Sequence, residues 1–171
     1  MKSMAELTAT FPRKGTVTWI GLSPGRREPL TVVSSVRAEV GTGLDGDRHA
    51  RSGRSKREVT LIQAEHLPVI SSLAGRPVSP GDLRRNLVVE GINVYALRKA
   101  RFWVGKVLLE GTGLCDPCSR MEENLGPGGF NACRGHGGIT ARVIEAGEIA
   151  LGDTVCFEHY TAGFTAKADL H

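Results

Sequence analysis

Aromatic side chains are scarce: five Phe, two Trp and two Tyr among 171 residues, 5% of the chain. A core built from this sequence is therefore filled by aliphatics, and few rings remain to stack on nucleic-acid bases. No apolar run approaches the roughly 18 residues that a membrane-crossing helix needs. The opening stretch MKSMAELTATFPRKG has no apolar segment of the signal-peptide kind. A cytoplasmic protein with no membrane partner is expected, in a compartment where thiols stay reduced. Its 4 cysteines then argue against a disulfide framework and leave metal binding, catalysis or burial. Charge of one sign is also modest. With 22 Lys and Arg against 18 Asp and Glu, the formal charge of +4 fits an anionic ligand and an ordinary surface equally well.

What is present suits one domain. Some 40% of the residues are apolar, and 22 glycines are spread along the chain, which points to many turns and short elements. Strands are expected at GTVTWIGLS (15–23), LTVVSSVRAEV (30–40), EVTLIQ (58–63), NLVVEG (86–91), KVLLEGTGL (106–114), ITARVIEAG (139–147) and within EIALGDTVCFEHY (148–160). Helical spacing marks 63–75, limited in its first half by Pro68, and a short piece at 116–126 with Asp116 as N-cap and Pro117 at the first helical position. Residues 94–105 are short and mixed, and a glycine-rich loop is expected up to Gly138. The pattern predicts a mainly β fold, a β-barrel with a few short helices, over residues 15–160. A flexible arm (1–14) and a flexible tail (161–171) flank it.

Four clusters carry chemistry. Cys115, Cys118, Cys133 and His136 have the spacing C-x2-C-x14-C-x2-H, which suits tetrahedral zinc but also suits separate buried or reactive thiols. Cys156, among apolar neighbours in a strand, reads as core. The run GLDGDRHARSGRSKRE (43–58) is rich in glycine and arginine. Its exposed N–H groups and the charges of Arg48, Arg51, Arg54, Lys56 and Arg57 suit an anion, with Arg48 and His49 as the stronger candidates and Arg51, Arg54 and Lys56 equally at home on a solvated loop. In DLRRN (82–86), one arginine is expected outside and the other in a polar site. Asn86 suits a loop contact or the edge of a heterocycle. In NACRGHGG (131–138), glycines around His136 allow close backbone approach, and Arg134 and His136 could donate to a phosphate. His66 reads as a boundary residue. A zinc-stabilised nucleic-acid-binding module built on Cys115, Cys118, Cys133 and His136 with the basic loop is one expectation. The weak charge and few aromatics argue against nucleic acid as a partner.

Taken in order, GLDGDRHA (43–50), TLIQAEHL (60–67), GDLRRNLVVEG (81–91), FWVGKVLLEG (102–111), CDPCSRME (115–122) and GHGGITARVIEAGEIALGDTV (135–155) resemble the MOSC domain. That family is named for the C-terminal domain of molybdenum-cofactor sulfurases, and the likeness is to its small stand-alone bacterial members. The resemblance implies a β-barrel like the small barrel domain of pyruvate kinases and a site for the molybdenum cofactor (molybdopterin). At family level it also carries pyridoxal phosphate binding. It implies a cysteine that carries sulfur or ligates molybdenum, and either reduction of N-hydroxylated small molecules with an electron-transfer partner or work beside a sulfurase. Carried over by residue, Cys118 matches the cysteine of the P-C word, Arg84 and Asn86 the R-x-N word, and Arg48 and His49 the end of the G-D-R-H word. Reductase-type relatives place a molybdenum-ligating cysteine near Gly137, and Cys133 lies 4 residues upstream of that position. The expected site thus has Cys118 and Cys133 as catalytic thiols and metal ligands, and Arg48, His49, Arg84, Asn86, Arg134 and His136 as cofactor contacts.

Overall fold

Strand formation follows the β-branched and aliphatic runs, and strand pairing closes them into a ring. The computed structural model describes residues 1–51 and 55–160, without the side chains of Ala50 and Arg51. In chain order the strands are β1 (Gly15–Leu22), β2 (Thr31–Val33), β3 (Ser35–Glu39), β4 (Gly43–Leu44), β5 (Val59–Gln63), β6 (Leu87–Glu90), β7 (Arg101–Val104), β8 (Val107–Leu114), β9 (Ile139–Glu145), β10 (Gly147–Ala150) and β11 (Thr154–Phe157). Their order β11-β7-β8-β9-β5-β6-β1, with β1 returning to β11, makes a closed 7-stranded barrel. Strand β2 extends the sheet from β1, and β10-β3-β4 form a small second sheet. Closure removes the unpaired edges that an open sheet would leave.

One pair breaks the antiparallel pattern. β5 and β6 run parallel, Leu61 opposite Leu87 and Gln63 opposite Val89. Parallel neighbours need a crossover, and here it holds α2 (His66–Ala74) and α3 (Pro80–Leu83). These helices, with α4 (Ser119–Leu125) and α5 (Gly129–Cys133), cover one outer face of the barrel. β5 and β6 are accordingly buried on both faces. Leu61, Leu87 and Val89 enter the barrel core, while Ile62 and Val88 join Ile70, Val78, Leu83, Met121, Leu125 and Cys133 in a second apolar layer beneath the helices. Double burial is why neither strand alternates apolar and polar residues: β6 reads Leu-Val-Val and β5 is apolar but for buried Thr60 and the terminal Gln63.

Several local expectations are corrected. Helix α4 begins at Ser119 with Cys118 as its N-cap, two residues later than the Asp116 start. Cys115 N–H still bonds to the Gly138 carbonyl (2.9 Å), which extends the β8–β9 ladder, and Pro117 disfavours helical geometry at Asp116. The loop expected before Gly138 contains α5. Its start is fixed from outside, by Glu122 accepting the N–H groups of Gly128 (2.7 Å) and Phe130 (2.9 Å). Those bonds hold the Glu122 carboxyl below its ordinary pKa. Residues 30–40 divide into β2 and β3, and the mixed stretch 94–105 ends in β7. Within the first 14 residues, Ser3 and Glu6 form a reciprocal cap on α1 (Met4–Thr8), and Phe11 is buried, stacking on Phe157 at 5.5 Å between centroids. Residues 161–171 lie outside the described residues, as does Arg54.

Candidate functional site

The site begins with one buried carboxylate. Asp47, 3% exposed, accepts hydrogen bonds from three chain segments. Oδ2 takes the Ser23 N–H (2.9 Å) and the Asn86 Nδ2 (2.8 Å). Oδ1 takes the His49 N–H (3.0 Å) and lies 2.8 Å from His49 Nδ1. Burial alone would raise the Asp47 pKa. The bonds from the His49 ring, the Ser23 N–H and the His49 N–H outweigh it and hold the carboxyl below its ordinary value. An ionised carboxylate can only accept, so the Asp47 contact places the proton of that bond on Nδ1 of His49.

Asn86 ties this hub to the barrel. Its Oδ1 accepts the Thr60 N–H and hydroxyl, both at 3.0 Å, and its Nδ2 also donates to the Gly21 carbonyl (3.1 Å). The side chain's bonds therefore run to β1, β5 and Asp47. Asn86 lies at the floor of the cleft, and its bonds make it a brace between strands.

Above the floor the wall is cationic. A cleft of about 130 Å³ is lined by Arg48, Arg57, Arg84, Arg85 and Arg120, together with Ser23, Asp47, His49, Thr60, Asn86 and Cys118. Arg84 is the C-cap of α3 and adopts a left-handed backbone (φ 53°), unusual for a side chain with a Cβ. It donates to the Glu28 carbonyl (2.7 Å), the Ser23 hydroxyl and the Gly25 carbonyl (3.5 Å), tying loop 23–28 to the end of α3. Burial, then repulsion from Arg48 and Arg120, push the Arg84 pKa down, with Asp47 pulling the other way. Arg48 Nε is buried and has no hydrogen-bond partner among the described residues. Guanidinium groups crowded together with an orphaned donor favour an anion between them. Cys118 stands exposed at this cleft, at the head of α4.

The MOSC domain model matches residues 47–156, which takes in Asp47, the five cleft arginines and Cys118. The chain belongs to the MOSC family. Its fold also matches solved bacterial structures. The YuaD protein of Bacillus subtilis superposes with a TM-score of 0.73 at 18% identity, over 84% of this chain and 94% of that one. YiiM from Geobacillus stearothermophilus gives 0.68 at 18% identity, over 84% and 74%. YiiM from Escherichia coli gives 0.63 at 19% identity, over 85% and 70%. Identities this low speak to the fold alone. No curated protein sequence matches this chain significantly.

In this MOSC barrel the expected residues separate into two groups. Arg48, His49, Arg84, Asn86 and Cys118 converge on the cleft. Cys133, Arg134 and His136 do not line it. Cys133 is fully buried in the second apolar layer, and burial pushes its thiol pKa up despite Arg85. Arg134 is exposed and donates to Asn131 Oδ1 (3.4 Å). His136 packs edge-on against His66, ring centroids 5.3 Å apart, and burial with this neighbour lowers the His66 pKa. The glycines beside His136 serve close strand packing: a Cβ on Gly137 would sit 2.4 Å from the Cys115 carbonyl oxygen, and one on Gly138 1.9 Å from that of Leu61.

The zinc expectation is corrected. Among the described residues no group of three or more His, Cys, Asp or Glu side chains is arranged to hold a metal ion. Cys115 and Cys133 are buried, Cys118 faces the cleft and His136 pairs with His66. The strand extension through Cys115 and the packing of α5 pull the knuckle apart. No helix among the described residues is long and apolar enough to cross a membrane.

Sequence reasoning missed Asp47, Ser23, Thr60 and Arg120 at the cleft, took Arg57 only as one charge of the basic run, and put Arg84 rather than Arg85 forward from DLRRN. Asp47 had a signal, being the acidic residue between Gly46 and Arg48 in GLDGDRHA. Of the adjacent pair in DLRRN, Arg85 is the buried one. It donates to the carbonyls of Gly137 (2.7 Å), Leu83 (2.7 Å) and Cys115 (3.2 Å), and so braces the loop that carries Cys115.

Proposed function

We propose that this MOSC protein binds the molybdenum cofactor in the arginine-walled cleft, with Cys118 as its working thiol. The task is reductive removal of oxygen from N-hydroxylated small molecules or the carrying of sulfur for cofactor sulfuration. The supporting observation is the convergence of Arg48, Arg84 and Arg120 beside an exposed cysteine, with an Arg48 Nε that has no partner among the described residues.

The residues present fit such a group. A phosphate would relieve the mutual repulsion of Arg48, Arg84 and Arg120 and accept paired N–H bonds from their planar guanidinium groups. A cysteine sulfur is a soft ligand suited to molybdenum, and Cys118 is the cysteine that the cleft exposes. Asp47 and Asn86 hold His49 and the Ser23 loop in place while the arginines meet the anion. When bound, the cofactor supplies two-electron redox chemistry. Cys133, buried and with its thiol pKa raised, belongs in this reading to packing.

The test is a fluorescence titration of the purified protein with isolated pterin cofactor. Saturable binding is expected, weakened at least about tenfold in R48A and in R120A. Equal binding by wild type and both variants, or no binding at all, would remove the reading.

A further inference from the structure

Cys115 has no part in the function proposed above, yet its surroundings are specific. It lies three residues before Cys118, in the spacing Cys115-Asp116-Pro117-Cys118. The residue is 1% exposed, and its sulfur accepts a hydrogen bond from Arg57 Nη2 at 2.9 Å. Arg57 itself lines the cleft that exposes Cys118, so one guanidinium connects the buried sulfur to the site of the exposed one. A guanidinium donor stabilises negative charge developing on sulfur, which is the attacking form in thiol–disulfide exchange.

The tether between the two cysteines is lightly held. Cys115 is fixed on one side by its N–H bond to Gly138 and by Arg85 on its carbonyl. Cys118 is fixed on the other by Met121 N–H donating to its carbonyl (2.8 Å). Asp116 and Pro117 make no hydrogen bond among the described residues and belong to no helix or strand. Drawing such a segment into a turn brings its end Cα atoms within about 7 Å, near the span a disulfide requires.

We propose that Cys115 is the resolving thiol for Cys118, making the pair a sulfide-releasing dithiol. Cys118, once loaded with a sulfane sulfur as a persulfide, is attacked at Sγ by the Cys115 sulfur. The Cys115–Cys118 disulfide forms and the outer S–S bond breaks. The terminal sulfur leaves with the bond's electron pair and, with its own proton and the Cys115 proton, departs as hydrogen sulfide. Cys115 is oxidised and the sulfane sulfur is reduced, so no outside reductant enters. The inference rests on the sulfur-carrying form of the function above.

The experiment treats the reduced full-length protein with inorganic polysulfide, removes excess reagent, and follows sulfide release and intact mass. Wild type is expected to release sulfide and to yield a peptide linking Cys115 to Cys118. In C115S, sulfide release should fall at least about tenfold while Cys118 keeps its added sulfur. Mapping the disulfide in wild type needs no variant, so the result stands even if C115S folds poorly. If Cys118 takes up no sulfur, both the carrier reading and this inference fail. If it loads but wild type forms no Cys115–Cys118 link, only this inference is overturned.

Discussion

Asp47 Oδ2 accepts the side-chain amide of Asn86 at 2.8 Å, and through this bond a loop residue is tied to the head of β6 in the barrel wall. The same carboxylate holds His49 and the Ser23 backbone. The cleft is therefore organised by a buried charge and its donors.

Removing that carboxylate takes away the acceptor of the buried Ser23 N–H and one of the two acceptors of Asn86 Nδ2. D47A is expected to lower unfolding free energy by about 2–4 kcal/mol, read from urea denaturation. The Asp47 pKa is depressed in the folded protein, so its contribution is present above the unfolded value near 4 and is lost as pH falls through the folded one. D47N should accordingly show a flatter loss of stability on acidification than wild type.

Arg85 is the second brace. Its three carbonyl acceptors would all lose their donor in R85A, at a cost of about 2–4 kcal/mol. Arg120, whose one ion pair among the described residues is a long contact to Glu123 (3.6 Å), should be dispensable for stability while R120A still weakens anion binding. Thermal melts with and without added pyrophosphate separate the two behaviours.

The four thiols should differ in reach. Under native conditions iodoacetamide is expected to modify Cys118 first, half-buried Cys156 more slowly, and Cys115 and Cys133 only on unfolding, by peptide mass mapping. Because burial raises the Cys133 pKa, the folded state holds that proton more tightly. Its effect on stability is neutral below the unfolded value near 8.5 and becomes a loss as pH rises above it.

Glu122 links α4 to the start of α5, and the Gly128 and Phe130 N–H bonds that hold its pKa down should make α5 acid-sensitive. E122Q is expected to speed amide exchange at Gly128 and Phe130 near neutral pH, where the carboxylate is ionised, and to remove most of the acid dependence seen in wild type.

The barrel was legible because burial writes itself into local pattern. β1, β5, β8 and β9 each coincide closely with a β-branched or aliphatic run. α5 was not legible, since what starts it is Glu122, outside the segment, reaching across a turn. The late start of α4 likewise depends on Cys115 pairing with Gly138, just ahead of β9. At the site, the words GLDGDRHA and DLRRN marked Arg48, His49, Arg84 and Asn86. Spacing could not say that Arg85 turns inward to three carbonyls, or that Cys133 and His136 face away from the cleft. Those outcomes are set by packing between segments distant in sequence.

The most direct measurement of the central claim is the metal and pterin content of the protein purified from a host that makes the molybdenum cofactor. Molybdenum and oxidised-pterin fluorescence near one per chain, both lost in R48A, are expected. Stoichiometric zinc with neither molybdenum nor pterin would contradict a cofactor cleft built from Arg48, Arg84, Arg120 and Cys118.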